Sequence, residues 1–381
     1  MNDRNDRNVE DILKQQVNEI MNEKPRNEYK KSQKKPVRKK KHRFLKGMGT
    51  LAAILLLAIL IVFGTKPGRS MVYKFASQFI YTNMNKDTDN GKAKDDLIIE
   101  DNPSLRKEDY VTNYLIFGIE KIGGGKNTDT IMVATINTKN STIKVTSLLR
   151  DSYVDIPGYK ANKLNSAYSK GGAKLLIETI QNNYKIKIDG YASVDFESFE
   201  KIVDLLGGVT IDLGKKEAAY LNKTNYISKK KNRNVKEGIN RLNGNQLMGY
   251  VRVRKVATLG GVNNDYGRVV RQQRALKAMF ESYIKSNIFK LPGITKEALG
   301  YITTNVSEDQ ISKAMANVVE NRITTLDTIR IPVDGAFDAP KKYNGIGYPI
   351  VINWDVNRVE LYKFIYDDTE EEAKEALARF K

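Results

Sequence analysis

Residues 47–65 constrain the fold of this chain most, because they are uncharged, mostly apolar and contain an unbroken apolar run from Leu51 to Phe63. At about 1.5 Å per residue, a helix of this length nearly spans the ~30 Å hydrocarbon core of a bilayer. The 46 preceding residues are long for a cleavable signal peptide, and no A-x-A site follows. The charged flank argues against a buried core helix. We therefore expect one transmembrane signal anchor at 47–65.

The charge around this segment predicts its orientation. Twelve Lys and Arg residues lie between Lys24 and Lys46, and few follow the apolar run directly. By the positive-inside rule, the N-terminus is cytosolic and the C-terminal part of this membrane protein is extracytoplasmic. The basic tail, residues 1–46, is too polar to bury a core, so we expect it to be disordered and attracted to anionic lipid. It carries no DNA-reading motif, which argues against nucleic acid as its partner.

The rest of the chain divides into a linker and a folded domain. Residues 66–109 are predicted to form an extracytoplasmic stalk, with a helix continuing over Met71–Tyr81. Residues 110–381 mix strand and helix patterns, which predicts an α/β (α+β mixed) fold with a central mixed sheet flanked by helices. The Lys-rich stretch 214–240 is predicted to be a surface insertion, and we expect no second core.

Composition limits the chemistry of the extracytoplasmic part. The chain has no cysteine, and its one histidine, His42, lies in the basic tail. Thiol nucleophiles and Ser-His-Asp catalysis are therefore excluded. Catalysis would need carboxylates, Arg, Lys, hydroxyls or a metal held by oxygen ligands. The formal net charge of +19 favours anionic partners.

Five arginines lie within residues 252–274. So many guanidinium groups repel each other unless an anion lies among them, and their planar donor forks suit phosphate oxygens. Three of the polar side chains stand at i, i+3 and i+4 near the start of a predicted helix, whose N-terminus favours anions. The alternative, ion pairs with nearby acids or a solvated helix face, has about equal weight for the helix alone. The predicted phosphate-binding residues here are Arg252, Arg254, Arg268, Arg271 and Gln272.

Two further clusters follow predicted strands. Arg150 and Asp151 come directly after one strand, a common position for ligand-binding residues, although a turn with a local ion pair is the alternative. Glu120 and Asp129 lie at strand ends on either side of a glycine-rich stretch. Two carboxylates without His or Cys suit Mg²⁺, which commonly takes one or two carboxylates plus substrate phosphates. A flexible glycine loop with unrelated acids is an equally good explanation on sequence alone.

Taken together, five stretches of this sequence resemble the LytR-CpsA-Psr family. The resemblance covers about residues 110 to 290, and no single stretch is specific by itself. The matching stretches are NTDTIMVATIN, SLLRDSYVDIPGYKANKLNSAYSKGG, DFESFEKIVDLLGGV, LNGNQLMGYVRVR and DYGRVVRQQRALKA.

The resemblance implies an extracytoplasmic transferase of Gram-positive-type envelopes, active in cell wall biogenesis. Such enzymes transfer an anionic glycopolymer, for example teichoic acid or capsule polymer, from a polyprenyl-pyrophosphate carrier to peptidoglycan. Arg150, Arg252, Arg254 and Arg268 would then hold pyrophosphate with help from Gln272. An apolar groove would hold the polyprenyl chain. Glu120 and Asp129 would take the places of the Mg²⁺-binding acids. Asp265, beside the reacting centre with Arg268, or Asp151 would accept the hydroxyl proton.

Two positions depart from the family pattern. Glu120 stands where the family usually has Asp, and Asn127 stands where it often has Arg. Glu is one methylene longer, which changes the metal geometry, whereas Asn127 removes one pyrophosphate contact that Lys126 replaces only in charge. Two alternatives to the enzyme stay open: a non-catalytic polyprenyl-phosphate binder, and a membrane-anchored envelope or transcription regulator.

Overall fold

The computed structural model describes residues 65–86, 88–89, 92–93, 104–122, 125–287, 290–323 and 326–380. Its strands vary from two to thirteen residues, and the long ones lie in the apolar segments that the sequence predicts as strands. The strands are β1 Asn85–Lys86, β2 Thr88–Asp89, β3 Lys92–Ala93, β4 Val111–Ile122, β5 Gly125–Asn137, β6 Thr142–Leu148, β7 Tyr153–Val154, β8 Asn162–Lys163, β9 Gly190–Asp195, β10 Val209–Leu213, β11 Gly238–Leu242, β12 Thr303–Thr304, β13 Leu326–Ile331, β14 Phe337–Asp338, β15 Lys342–Tyr343, β16 Ile346–Gly347 and β17 Val351–Ile352.

Seven of these strands form one mixed sheet in the order β1-β12-β9-β4-β5-β6-β13. Neighbours β4, β5 and β6 are antiparallel, whereas β9 pairs with β4 and β13 pairs with β6 in parallel. Strands β5 and β6 form a hairpin that pairs from Ile131 opposite Leu148 to Asn137 opposite Thr142. The mixed pairing and the surrounding helices confirm the predicted α/β class.

Two of the helices that surround the sheet begin at reciprocal capping boxes. Asn243 accepts a hydrogen bond from the Gln246 backbone N–H, and Ser307 does the same for Gln310, each within a reciprocal capping box. The described residues form these α-helices: α1 Lys66–Asn83, α2 Asn165–Tyr184, α3 Phe196–Leu205, α4 Lys215–Lys223, α5 Gly244–Arg252, α6 Asn264–Ile284, α7 Leu291–Leu299, α8 Glu308–Glu320, α9 Trp354–Tyr366 and α10 Glu370–Ala378.

The described residues form two large apolar cores and a smaller cluster that includes Leu149 and Val269, which corrects the expectation of one core. The first core packs helices α2 and α9 against one face of the sheet, around residues such as Phe117 and Leu176. The second core joins α3, α4, α5 and α6 to the β10–β11 hairpin. The predicted surface insertion at 214–240 is wrong, because Leu221 and Ile227 in this stretch are fully buried in the second core. Although this stretch is rich in lysine, its widely spaced apolar residues form a face that packs into the second core.

The folded part also starts upstream of the predicted boundary at residue 110. The backbone N–H of Asn85 donates to the Ile302 carbonyl at 3.0 Å, which joins β1 to the edge of the sheet. Arg106 is buried, pairs with Asp368 and stacks 3.8 Å from the ring centroid of Tyr366. Asn85 and Arg106 in the predicted stalk therefore belong to the fold, and the buried charge of Arg106 is paired within it.

The chain divides into two compact units, Met1–Ala76 and Ser77–Lys381, and the large sheet and both cores belong to the second. The predicted helix over Met71–Tyr81 is confirmed as part of α1. The predicted tail at 1–46 and nearly all of the predicted span at 47–65 lie outside the described residues. Among the helices that are described, none combines the length and the apolar character needed to cross a bilayer.

Candidate functional site

A cavity of about 620 Å³ lies on the sheet face opposite the first core. Side chains alternate along β4, so Leu115 enters the first core, whereas Ile116 and Glu120 line the cavity. Phe117 is buried in the first core and also borders the cavity. Helices α3, α5 and α6 supply most of the remaining wall. The volume is in the range of pockets that bind small-molecule ligands.

A β-bulge brings Asp129 to this cavity. Gly118 is opposite Thr130 and the next residue, Ile119, is opposite Thr128, so Asp129 is an extra residue on β5. In a regular strand, Asp129 would share the face of Ile131, which is buried in the first core. The bulge instead turns its carboxylate to the wall that Glu120 also lines. Glu120 and Asp129 therefore meet although nine residues separate them.

The cavity is charged at one end and apolar along its length. Helix α6 shows both parts on one stripe, because Arg268 and Gln272 near its N-terminus precede Leu276 and Met279. The positive end of the helix dipole therefore lies at the charged end. The main apolar lining residues from the sheet, α3 and α6 are Ile116, Met132, Phe199, Ile202, Leu276 and Met279.

Three arginines converge on the charged end from both sides of the loop 256–264. Arg252 donates to Glu120 at 3.0 Å, and its guanidinium lies 5.0 Å from the Phe196 ring centroid. Arg254 and Arg268 both contact the Asp265 carboxylate, at 3.4 and 3.1 Å. All three arginines line the cavity. The structure thus brings together Arg252 at the end of α5, Arg254 in the following loop and Arg268 of α6.

Arg268 has the strongest unmet need for an anion in this cluster. Its side chain is only 3% exposed, yet its Nε and Nη1 atoms have no hydrogen-bond partner. Burial and the positive charge of Arg150 lower the pKa of Arg268 to about 10, so it remains charged at neutral pH. A buried donor without an acceptor costs roughly 1–3 kcal/mol, and more when it is charged. An anion at the charged end would remove this cost.

Arg150 contacts two carboxylates, those of Asp129 and Asp151. Its Nη1 donates to Asp129, and its Nε lies 3.3 Å from Asp151. Burial opposes ionisation of Asp129, but the charges of Arg150 and Arg268 lower the pKa of Asp129 below its ordinary value. Burial and the adjacent Asp129 raise the pKa of Glu120. This environment holds Asp129 ionised and makes ionisation of its neighbour costly.

The paired carboxylates suit a divalent cation. Glu120 and Asp129 both line the charged end of the cavity and influence each other electrostatically, so two carboxylates lie close together there. Within the described part of the chain, no cluster of three or more acidic, His or Cys side chains offers a complete set of ligands. Two protein carboxylates are sufficient for Mg²⁺, because this ion commonly binds one or two carboxylates and completes its coordination shell with water and substrate phosphates.

The prediction that Arg271 binds pyrophosphate is wrong. Arg271 is fully buried away from the cavity, where its Nε donates to Glu217 at 2.8 Å. Its other nitrogens donate to the carbonyls of Val253 and Val256, at 3.1 and 2.9 Å. Arg271 lies 60° around the helix from Arg268, and this rotation turns it toward the buried acid of α4. It therefore holds the loop that carries Arg254.

Two predicted proton acceptors also lie behind the arginines instead of on the cavity wall. Asp151 contacts Arg150 and Lys163, the latter at 2.9 Å. Asp265 contacts Arg254 and Arg268 and is absent from the lining. Both acids orient arginines in this structure, and their role as proton acceptors stays a prediction. The side chains of Lys126 and Asn127 lie outside the described residues.

Comparisons with known proteins agree with this geometry. A sequence profile described as the LytR_cpsA_psr family matches residues 72–358. "Regulatory protein MsrR" of Staphylococcus aureus is 32% identical over 266 residues, covering 69% of this chain and 76% of the relative. "Polyisoprenyl-teichoic acid--peptidoglycan teichoic acid transferase TagU" of Oceanobacillus iheyensis is 28% identical, covering 81% of this chain and 91% of the relative.

A solved structure supports the same fold. The crystal structure of Bacillus subtilis TagV is similar with a TM-score of 0.52 and 27% sequence identity. The similarity covers 69% of this chain and 100% of that one.

Proposed function

The chain belongs to the LytR-CpsA-Psr family, and we propose that it is a phosphotransferase that attaches an anionic glycopolymer from a polyprenyl-pyrophosphate carrier to peptidoglycan. The relatives TagU and TagV are named polyisoprenyl-teichoic acid–peptidoglycan teichoic acid transferases. The observation that carries the proposal is Arg268, whose buried, unpartnered donors lie where an apolar cavity meets a cluster of arginines. A diphosphate on a long hydrocarbon chain matches both features.

The apolar and charged parts of the cavity would bind different parts of the carrier. The polyprenyl chain would lie along Ile116, Met132 and the apolar residues of α3 and α6. Burial of hydrocarbon contributes about 0.8 kcal/mol per CH₂ group, so the chain supplies affinity without chemistry. The diphosphate would lie at the charged end among Arg150, Arg252 and Arg268. This arrangement fixes the phosphorus that carries the polymer next to the buried guanidinium.

Transfer then follows from the fixed charges. A sugar hydroxyl oxygen bonds to the polymer-bearing phosphorus, and the bond from this phosphorus to the bridging oxygen breaks. Polyprenyl monophosphate leaves with the electron pair, and the hydroxyl proton ends on its phosphate or in water. Negative charge grows on the phosphate oxygens, where preorganised arginine donors stabilise it. Asp151 and Asp265 contribute by holding these arginines in position.

We propose Mg²⁺ as the cofactor, held by Glu120 and Asp129, where it would neutralise phosphate charge. Glu120→Gln keeps the size of the side chain and removes its charge. We expect this variant to need at least about ten-fold more Mg²⁺ for half-maximal transfer, because one anionic ligand is lost. Wild-type protein treated with EDTA should lose activity and regain it with added Mg²⁺. Equal activity with and without EDTA would contradict the assignment.

The volume available at the apolar end of the cavity gives a second prediction. Met279→Trp fills part of the cavity, whereas Met279→Leu conserves its volume. Displacing two methylene groups of the lipid costs about 1.6 kcal/mol, which corresponds to more than about ten-fold in affinity. We expect the KM for a long-chain donor to rise by this factor in the Trp variant and to change little for a short-chain donor. Equal effects on both donors would contradict a lipid site here.

We further propose that the protein is a single-pass membrane protein with residues 47–65 as its signal anchor. Its N-terminus would be cytosolic, with the basic tail on anionic lipid, and its catalytic domain would face the envelope. The apolar run and the basic residues before it support this topology. A reporter enzyme that functions only outside the cytoplasm should be active when it is fused after residue 110. A cytoplasmic signal would contradict an envelope enzyme and favour a regulator.

A transfer assay tests the proposed activity itself. Full-length protein in detergent should join a lipid-linked anionic polymer to purified peptidoglycan and release polyprenyl phosphate in equal amount. Mass spectrometry detects the phosphodiester on digested glycan fragments. Lipid that binds without product would contradict the transferase and favour a non-catalytic binder.

A further inference from the structure

Three tyrosines, Tyr153, Tyr343 and Tyr348, form an exposed surface that the proposed donor site does not use, which we name the tyrosine platform. Tyr343 is 39% exposed and Tyr348 is 71% exposed. The rings of Tyr153 and Tyr343 meet edge to face with centroids 5.1 Å apart. Large aromatic side chains at the surface leave apolar area in water, so their concentration here points to a ligand.

The platform is held in one shape. Tyr343 lies in the β15–β16 hairpin, whose turn residues Asn344 and Gly345 both have positive φ, 47° and 85°. This Asn-Gly pair forms the tight turn favoured in two-residue hairpins. The Asn344 side chain donates to the Tyr153 hydroxyl at 3.2 Å. The Tyr348 backbone N–H closes the hairpin through the Lys341 carbonyl at 2.8 Å.

A continuous chain of contacts links the platform to the charged end of the cavity. Tyr153 is the cross-strand partner of Lys163, so their side chains share a face. Lys163 lies 2.9 Å from Asp151, and Asp151 contacts Arg150 on the cavity wall. The Ile350 backbone also donates to the Asp151 carbonyl at 2.9 Å, which ties the hairpin region to this strand end.

We propose that the tyrosine platform is the acceptor subsite, which binds a glycan strand of β-linked amino sugars and directs a hydroxyl toward the phosphate at Arg150. This inference rests on the proposed function, since the carrier lipid would fill the cavity and leave the acceptor an outer surface. Tyrosine suits a sugar because its ring covers the C–H face while its hydroxyl bonds to water or to sugar hydroxyls. The nearby Asn344 amide and the exposed Lys341 and Lys342 add donors for hydroxyl and carboxylate groups.

Direct binding tests the platform without requiring catalysis. Full-length protein in detergent is titrated with the β-1,4-linked hexamer of N-acetylglucosamine by calorimetry. We expect Tyr343→Ala and Tyr348→Ala each to weaken binding at least about five-fold, as truncating an aromatic anchor does. Tyr283→Ala, at a tyrosine that is 37% exposed on α6, is the matched control and should bind as wild type. Wild-type affinity in both platform variants would overturn the proposal. The strongly exposed Tyr348 keeps the test valid if Tyr343→Ala unfolds.

Kinetics separate this proposal from the proposed function. With peptidoglycan as acceptor, the platform variants should raise the acceptor KM and leave kcat and the donor KM unchanged. A rise in the donor KM instead would assign the surface to the anionic polymer and overturn the acceptor role. If the variants transfer with a normal acceptor KM, the transferase stands and the platform fails. If wild type binds the hexamer through the platform without any transfer, the platform stands and the transferase fails.

Discussion

Arg268→Ala should reduce kcat/KM for transfer by about 10³-fold or more, since removing one preorganised donor to a developing oxyanion already costs about 10²–10³. Arg268 offers two unpartnered donors from a buried position at the end of the cavity. Lysine supplies the charge without the planar fork, so Arg268→Lys should recover only a small part of the loss. The measurement is initial transfer rate at several donor concentrations.

The control for this experiment is Arg379→Ala, which removes an exposed arginine at the end of α10. It should transfer as wild type. Denaturant unfolding must show that Arg268→Ala remains folded, and we expect this because two buried donors without acceptors do not stabilise the protein. A folded Arg268→Ala protein with normal transfer would remove the main support for the phosphate site.

Arg271→Met should have the opposite signature, a large loss of stability through a residue that does not reach the cavity. Breaking a buried ion pair leaves an uncompensated charge and costs about 3–5 kcal/mol. Glu217 would be that charge, at 1% exposure, with only the backbone N–H groups of Gly214 and Leu259 left as donors. Urea unfolding measures the change in the free energy of unfolding.

Two further variants separate the buried pair from a general effect of losing charge. Arg271→Met combined with Glu217→Leu should recover most of the lost stability, because a buried ion pair can be replaced by apolar residues at little cost. Lys285→Met breaks an exposed pair with Glu281 and should change stability by less than about 1 kcal/mol. Normal stability of Arg271→Met with specific loss of diphosphate binding would contradict the structural role.

These two arginines show how far sequence reasoning reaches. Helical spacing places Arg268 and Gln272 on one stripe correctly, but it also admits Arg271, since 60° separates it from Arg268. Arg271 forms its ion pair with Glu217. This acid is 54 residues away, in a stretch whose composition indicates a surface insertion. A distant partner of this kind leaves no local signal, so the sequence predicts the cluster and not its division into binding and structural members.

The meeting of Glu120 and Asp129 was likewise only partly predictable from the sequence. The sequence identifies Glu120 and Asp129 as carboxylates at strand ends, and the strands that carry them are predicted correctly. Their meeting depends on the bulge at Asp129, which strict alternation would assign to the core face. The one available signal is the polar run Thr128–Thr130 directly before an apolar strand. The apolar lining was predicted as a groove without residues, because it is assembled from helices that are distant in sequence.

A crystal structure with bound polyprenyl pyrophosphate tests the central claim most directly. We predict that oxygens of the diphosphate lie within hydrogen-bond distance, about 2.7–3.2 Å, of Arg268 Nε and Nη1. The hydrocarbon chain should run along Ile116, Met132 and Met279, with Arg271 still bound to Glu217. A diphosphate bound elsewhere, with the Arg268 donors still unpartnered and the apolar cavity empty, would contradict the account.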